Sequence, residues 1–440
     1  MASLQHLAYQ LPTTGGESQK WKVQPLHFDT FFQDCGLLTI PVFQRTYCWT
    51  DEQIAGWWRD LRMAKEEAGI AAGHRVGKIM FKAIPHPAEE EGGMSSGPKG
   101  AAAMTIIDGQ QRITTALLFL AAVRDALLER LDVTKDAGAA ALCRELEAAL
   151  FVDPEAFAAL ALQPRDDGEE GSFLKVGEPL WFCRLVPSYL DRLPFFELVL
   201  AGRLGAAPCE ATKRSVQWRA KAYFDRELRT WLAAREAGGL LRDLRFLAGR
   251  QLGFFSLMYM ESLNEMAFLP QLFLWLQEKS LFSMGALLWN PSPGVTFRAA
   301  DLVRNLLISP FAALPSAQLE RLYVDRWIAP LESRVAGPDQ MDRFLMAFLL
   351  REASQPGGAP VHSRFETTML GSARAMGFPI DLDKCRGVII YGRFHAVFEA
   401  RQALGLPDPA GILLDQLAAF MASWDPDLPI PNLEIERLKN

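Results

Sequence analysis

The fold is decided by the stretch Met104-Thr105-Ile106-Ile107-Asp108-Gly109-Gln110-Gln111-Arg112-Ile113-Thr114-Thr115. Its first four residues are a short apolar and β-branched run, which predicts a strand. From Ile113 onward, apolar residues recur at 117, 120, 123, 127 and 131, which is the spacing of a helical face that is buried. Asp108-Gly109 lies between the two patterns and predicts a tight turn. We therefore expect a strand, a turn and a long helix in direct succession.

This turn combines several residues that suit an anion. A helix start offers backbone N–H groups without intrahelical partners and a partial positive charge. Gly109 lets the backbone approach a ligand closely, and the planar guanidinium of Arg112 matches phosphate oxygens. Gln110 and Gln111 add amides that can donate to phosphate or orient a water, and Asp108 can hold Mg²⁺ or accept a proton. The pattern predicts a cradle for nucleotide phosphates.

A purely structural explanation of the same residues is also open. Asp108 can cap the helix, Gly109 can be an ordinary turn glycine, and Arg112 can be a solvated surface cation. Two amides and an arginine are nevertheless unusual at a helix start, where Glu or Ala would stabilise the helix better.

The flanking sequence adds further elements and domain boundaries. Residues 37–40 and 76–84 predict strands, and Thr50 with Gln53 forms a capping box that starts a helix. Residues 85–103 predict an exposed loop, and beyond about residue 135 the pattern is nearly all helical. We predict an N-terminal tail at 1–24, an α/β domain at 25–135, a helical domain at 136–315 and a C-terminal helical domain at 316–440.

The composition narrows the class of protein. The chain has 440 residues, half of them apolar, and a formal net charge of -6, which argues against nucleic-acid binding by bulk electrostatics. No apolar run is long enough to span a bilayer, and the first ten residues lack the features of a secretory signal. The six cysteines are scattered without a Cys-x-x-Cys pair, so neither a disulfide framework nor a zinc site is indicated. We expect a cytoplasmic protein.

Three motifs in order carry a family resemblance. Residues 107–115 resemble the signature of the N-terminal domain of GmrSD-type restriction systems, the DUF262 family, which has a ParB/sulfiredoxin-like fold. Phe43-Gln44-Arg45-Thr46-Tyr47-Cys48-Trp49 resembles that family's upstream motif. Ala300-Asp301-Leu302-Val303-Arg304-Asn305 resembles, more weakly, a conserved helix further along the family's sequence.

The resemblance implies both a fold and a set of site residues. The fold would be α+β, a small ParB/sulfiredoxin-like domain followed by a large helical region. The 108–112 turn and Thr114 would bind a nucleoside triphosphate and support its Mg²⁺-dependent hydrolysis, in defence against foreign or modified DNA. Gln44 and Arg45 would approach this site from a neighbouring turn, whereas Tyr47 and Trp49 are expected in the core. The remaining nucleotide-binding candidates are Asp301, Arg304 and Asn305, which either close over the pocket or form a buried polar network.

The sequence departs from the family in two places. Residues 276–280 read Leu-Gln-Glu-Lys-Ser where the family has a Leu-Asn-x-x-Gly turn, which puts any role of that Asn in doubt. Many relatives carry a C-terminal His-Asn-His nuclease, but residues 316–440 contain only His362 and His395. We expect either that a separate subunit supplies the nuclease or that the protein works by nucleotide chemistry alone, and we count DNA and a second copy of the chain among the candidate partners.

The alternatives to hydrolysis stay open at this point. The protein could be a DNA-sensing or scaffold subunit that binds a nucleotide without turning it over. It could also be a phosphotransferase acting on a small molecule.

Overall fold

In a computed structural model of the chain, the described residues form helices and one six-stranded sheet. The described residues are 21–27, 31–32, 35–42, 44–66, 75–84, 103–156, 174, 176–205, 207–235, 239–248, 254–260, 299–311, 314–336, 338–353 and 382–427. They fall into two compact units, residues 1–264 and 265–440. Residues 85–102 of the predicted loop lie outside the described residues, and residue 103 is the first residue of a strand. The divergent turn at 276–280 also lies outside the described residues.

The first unit contains both strands and helices. Its strands are β1 (Trp21–His27), β2 (Leu38–Thr39), β3 (Arg75–Ile84), β4 (Ala103–Asp108), β5 (Leu185–Val186) and β6 (Phe254–Met260). Its helices are α1 (Asp51–Glu66), α2 (Gln110–Arg130), α3 (Ala137–Leu150), α4 (Arg192–Leu204), α5 (Glu210–Lys213), α6 (Val216–Ala233) and α7 (Leu240–Ala248), with a 3₁₀ turn at Tyr189–Asp191.

The described part of the second unit is helical. It comprises α8 (Ala299–Ile308), α9 (Ser316–Tyr323), α10 (Pro338–Ala353), α11 (Leu382–Ala403) and α12 (Pro409–Ser423). A π-helical turn at Val324–Ile328 continues directly from α9, and short 3₁₀ turns lie at Ser309–Phe311 and Glu332–Arg334. A mostly helical chain with a small sheet agrees with the predicted α+β class.

The sheet is mixed, in the order β1-β6-β3-β4-β2-β5. Strands β4, β2 and β5 run parallel, β3 is antiparallel to β4, and β6 is parallel to β3. β1 is antiparallel to β6, with Trp21 opposite Met260. The first residues of β1 lie within the segment 1–24, and they pair with a strand more than 200 residues away, which local sequence patterns do not reveal.

Helix α2 is the central helix of the first unit. Every residue from Ile113 to Val123 is buried, as expected for a helix that is surrounded by other elements. It packs against α3, α4, α6 and α7. Phe119 makes an edge contact with Phe224 of α6 and a tilted contact with Trp58 of α1. Because α2 begins at the Asp108–Arg112 turn, the turn is fixed to a helix that is packed in the core of the unit.

The core of the first unit extends across residue 135. A single cluster of buried apolar side chains runs from Phe31 to Leu247 and joins the sheet to helices α1 to α4, α6 and α7. The boundaries proposed at residues 24, 135 and 315 remain predictions from the sequence. Among the described residues, no helix combines the length and apolarity needed to cross a membrane.

Candidate nucleotide site

The predicted strand-turn-helix is present between β4 and α2. Strand β4 ends at Asp108 and α2 begins at Gln110, with Gly109 as the N-cap. Gly109 has φ 95° and ψ 8°, which is the left-handed conformation that glycine adopts at little cost. Its carbonyl accepts hydrogen bonds from the N–H groups of Arg112 and Ile113, at 3.0 and 3.1 Å. The glycine is therefore needed for the geometry of this turn.

The start of α2 lacks two devices that commonly compensate the positive end of a helix. The N-cap makes no side-chain capping bond, and the first turn contains no acidic residue. The Asp108 side chain is exposed, and its Oδ1 accepts a hydrogen bond from the Gly109 N–H at 2.8 Å. Asp108 thus braces the turn that precedes the helix, and the first amides of α2 can face an anion.

The two glutamines of the turn bind the upstream motif. The Gln110 Nε2 donates to the Arg45 carbonyl at 3.0 Å, and the Gln111 Nε2 donates to the Thr46 carbonyl at 3.1 Å. The Gln111 Oε1 accepts from the Cys48 N–H at 2.9 Å. Both glutamine side chains are buried. They act as backbone-like partners for a segment that has no strand or helix of its own, which explains two consecutive amides at a helix start.

Gln44 also joins the upstream segment to the strand-turn-helix, by contacts with the strand. Its side chain is 2% exposed, and its Nε2 donates to the Ile107 carbonyl at 2.7 Å and more weakly to the Ile106 carbonyl at 3.4 Å. The Gln44 amide therefore binds the end of β4. Its neighbour Arg45 is half-buried, with its carbonyl held by Gln110.

The two cations of the predicted site belong to the two segments that these hydrogen bonds join. Arg112 is half-buried in the first turn of α2, and Arg45 is half-buried in the upstream segment. The structure brings together Gln44, Arg45, Gln110 and Gln111 by hydrogen bonds, and it places Asp108, Gly109 and Arg112 on the adjoining turn. Thr114 follows on α2 and is buried.

A buried carboxylate that sequence reasoning missed also holds the upstream segment. The Asp191 Oδ2 accepts from the Tyr47 N–H at 2.7 Å and from the Ser188 hydroxyl at 3.0 Å, and its Oδ1 accepts from the Gln217 amide of α6. Asp191 is 144 residues from Tyr47, so no local pattern pointed to this pair. The helical part of the unit thereby helps to fix the segment that carries Arg45.

Tyr47 anchors the segment in the core, as its aromatic character predicts. It is buried, and its hydroxyl lies 2.8 Å from the Thr115 Oγ1 of α2, which itself donates to the Gln111 carbonyl. Burial raises the pKa of Tyr47 well above its ordinary value, so the hydroxyl stays neutral and hydrogen-bonded. Trp49 packs its ring on Trp57 of α1 at 5.6 Å.

The remaining predicted site residues lie in the second unit. Arg304 is 1% exposed and pairs with Asp301 at 3.1 Å and with Glu332 at 3.5 Å. Its guanidinium also lies over the ring of Tyr323, and the Trp327 indole N–H donates to Glu332 at 2.6 Å. Of the two roles proposed for this motif, the structure shows the buried polar network.

Asn305 is buried beside Arg304 on α8. The first unit holds the turn and the upstream motif, and the second unit holds Asp301, Arg304 and Asn305. A nucleotide role for the second set stays a prediction.

The donor set at the turn fits only a partly hydrated cation. Among the described ranges, no group of three or more His, Cys, Asp or Glu side chains could enclose a metal ion. Asp108 is one exposed carboxylate, with one oxygen bound to the Gly109 N–H. Mg²⁺ commonly uses one or two carboxylates together with waters and substrate phosphates, so Asp108 fits a metal that arrives with a nucleotide.

Comparison with known protein families finds a match in the part of the chain that contains this turn. Residues 28–176 match the model of the N-terminal domain of the GmrSD restriction endonuclease. The match contains the upstream segment and the whole strand-turn-helix, and it confirms the resemblance carried by those two motifs. A search of curated proteins finds no match.

Proposed function

We propose that the Asp108–Arg112 turn binds the phosphates of a nucleoside triphosphate and supports Mg²⁺-dependent hydrolysis. The observation that carries the proposal is the start of α2. A left-handed glycine leaves the helix end without a side-chain cap or an acidic first turn, and Arg112 stands in that turn. Amide donors, the helix dipole and one guanidinium then favour the same ligand, a polyanion.

The contacts within the site support different roles for its residues. We assign phosphate binding to the first amides of α2, to Arg112 and, from the upstream segment, to Arg45. Gln44, Gln110 and Gln111 hold that segment against the turn, because their amide nitrogens donate to its backbone or to β4. Both polar atoms of the Gln111 side chain are hydrogen-bonded to the backbone of the upstream segment, so Gln110 is the better candidate for orienting a water.

Asp108 is the residue that would hold Mg²⁺. The bound metal would neutralise charge on the phosphates and raise the reactivity of the phosphoanhydride. The exposed Asp108 side chain would contribute one oxygen, and it also braces Gly109 through the bond to the glycine N–H.

The family match supports a place in a restriction system. Because residues 28–176 resemble the N-terminal domain of a restriction endonuclease, we propose a ParB/sulfiredoxin-like domain that works in the cytoplasm in defence against foreign or modified DNA. A separate nuclease subunit would then cut the DNA. Hydrolysis of the nucleotide would supply free energy to that subunit, or its binding would act as a signal.

A non-hydrolysing nucleotide switch is the second candidate. It is favoured by the commitment of Gln111 to the Thr46 and Cys48 backbone, which removes one of the two groups proposed to position water. A bound nucleotide would in that case order the 44–48 segment through Arg45 and the turn.

Phosphate release with ATP, GTP, CTP or UTP and Mg²⁺ separates these candidates. We expect turnover in the unaltered chain and its loss, by about tenfold or more, in Arg112→Ala, since a lost charged contact to phosphate costs about 1.5–3 kcal/mol. Arg130→Ala is the matched control, because Arg130 is exposed in the last turn of the same helix.

Nucleotide-dependent thermal stabilisation completes the design. Stabilisation without turnover would favour the switch, and transfer of phosphate to an added small molecule, seen by mass spectrometry, would favour a phosphotransferase. Equal turnover in Arg112→Ala and in the unaltered chain would contradict the proposed site.

A further inference from the structure

The main chain from Arg45 to Cys48 is held by side chains from other parts of the first unit. This stretch is neither helix nor strand, and four successive main-chain groups bond to side chains. The carbonyls of Arg45 and Thr46 and the N–H of Cys48 bond to the two glutamines at the start of α2. The Tyr47 N–H donates instead to the Asp191 carboxylate, at 2.7 Å. Of these four bonds, the bond to Asp191 is the one that does not come from α2.

Asp191 lies where an aspartate usually caps a helix, but its side chain has another partner. It is the N-cap residue of α4, and it makes no side-chain capping bond to the amides of that helix. An aspartate at this position commonly stabilises its own helix by such a bond. The Asp191 carboxylate instead accepts from a backbone N–H that lies 144 residues earlier in the chain. Its orientation therefore serves the upstream segment and not α4.

The Asp191 carboxylate is held in this orientation by further donors. The Ser188 hydroxyl donates at 3.0 Å to Oδ2, the oxygen that also accepts from the Tyr47 N–H. The Gln217 amide of α6 donates to Oδ1. Asp191, Ser188 and Gln217 are all buried. A buried side chain that is hydrogen-bonded through both of its oxygens has little freedom to move, so it can fix the place of the group that it binds.

We propose that Asp191 is a positioning residue of the candidate nucleotide site. By holding the Tyr47 N–H, it sets the position of Arg45 and does not itself touch the nucleotide. This inference rests on the proposed function, in which Arg45 binds phosphate together with the Asp108–Arg112 turn. The Arg45 carbonyl is held by α2, and the N–H two residues later is held by Asp191, so the backbone that carries the arginine is fixed at both points. A displacement of about 1 Å is enough to weaken a contact of this kind.

Calorimetric titration of the full chain tests the proposal, with the imidodiphosphate analogues of ATP, GTP, CTP and UTP as probes, each with Mg²⁺. Asp191→Leu keeps the branched shape of the side chain and removes both acceptors. We expect it to weaken the analogue that the unaltered chain binds most tightly by about tenfold, which is the loss expected when Arg45→Ala removes a charged contact with phosphate. Adding Asp191→Leu to Arg45→Ala should change the affinity by less than about twofold, because both changes act through the same contact.

Two variants separate positioning from damage to the fold. Asp136→Leu removes an aspartate that does cap its own helix, α3, so it should lower the stability of the unit and leave the affinity unchanged. Asp191→Asn should retain the affinity within about twofold, because its side-chain oxygen can still accept from the Tyr47 N–H and its amide can donate to Gln217 once that amide is flipped. If Asp191→Leu does not fold, Gln217→Leu replaces it, since this change removes a donor that orients the carboxylate. Its smaller loss of affinity should also vanish in the Arg45→Ala background.

Hydrogen exchange without nucleotide measures the hold of Asp191 on the segment separately. The peptide that contains Tyr47 should exchange faster in Asp191→Leu than in the unaltered chain or in Asp136→Leu. Unchanged exchange, unchanged affinity in Asp191→Leu, or a loss of affinity that adds in full to that of Arg45→Ala would overturn the proposal and leave the proposed function standing. Faster exchange together with no analogue binding by the unaltered chain would contradict the proposed function itself, and the nucleotide role of Asp191 with it.

Discussion

Replacing Gln111 by Leu tests how the candidate site is held together. The change keeps an extended apolar stem of similar size and removes both polar atoms. The Thr46 carbonyl then loses the hydrogen bond from Gln111 Nε2, and the Cys48 N–H loses the bond to Gln111 Oε1. The segment that carries Thr46 and Cys48 is neither strand nor helix, so these two bonds are among those that hold its backbone.

The expected cost follows from these two bonds. A hydrogen bond contributes about 1 kcal/mol net, and a buried group left without one costs about 1–3 kcal/mol. Thr46 and Cys48 are half-buried, so water can reach their backbone and the lower figure applies. We therefore expect Gln111→Leu to lower the free energy of unfolding of the first unit by about 2 kcal/mol.

Urea unfolding and hydrogen exchange measure the two parts of this prediction. Tryptophan fluorescence reports the unfolding midpoint, and mass spectrometry of the peptide that contains Cys48 reports its amide exchange, which should become faster in Gln111→Leu. Gln111→Glu is the comparison variant, because it keeps the acceptor for Cys48, where exchange should stay slow, but replaces the donor to Thr46 by a carboxylate oxygen that repels the Thr46 carbonyl. A midpoint shift equivalent to less than about 0.5 kcal/mol, together with unchanged exchange at Cys48, would refute this account of the glutamines.

Three further perturbations test other parts of the structure. Gly109→Ala should cost about 1–2 kcal/mol because the residue has φ 95°, and circular dichroism during urea unfolding would detect the loss. Because burial raises the pKa of Tyr47, the stability it contributes is complete below the unfolded-state value of about 10 and is lost as the pH rises above it. Tyr47→Phe should therefore show a smaller loss of stability between about pH 9 and 12 than the unaltered chain, and equal losses would contradict the assignment. Arg304→Leu should destabilise the second unit by about 3 kcal/mol because it removes the buried cation that pairs with the partly buried Asp301 and Glu332, whereas Arg321→Leu, at an exposed arginine on α9, should have little effect on its thermal unfolding.

The features that the sequence predicted well are those with local causes. The capping box at Thr50 and Gln53 forms both of its bonds, at 2.9 and 3.3 Å, and α1 begins one residue after Thr50. The succession of β4, Gly109 and α2 also follows from residues that are adjacent in the chain. In these cases hydrophobic spacing and turn chemistry act within a few residues, so a single sequence is sufficient.

The features that local patterns did not reveal depend on distant partners. The pairing of β1 with β6 and the bond from Tyr47 to Asp191 join residues more than a hundred positions apart. The partners of Gln110 and Gln111 are also distant in the sequence. The position of these two glutamines at a helix start suggested ligand contacts, but their side chains bind a backbone segment about 65 residues earlier.

A structure of the chain with a non-hydrolysable ATP analogue and Mg²⁺ tests the central proposal most directly. The account predicts phosphate oxygens within about 2.7–3.2 Å of the first amides of α2 and of the Arg112 guanidinium. An analogue bound elsewhere on the chain, with the Asp108–Arg112 turn empty and its guanidinium directed to solvent, would contradict it.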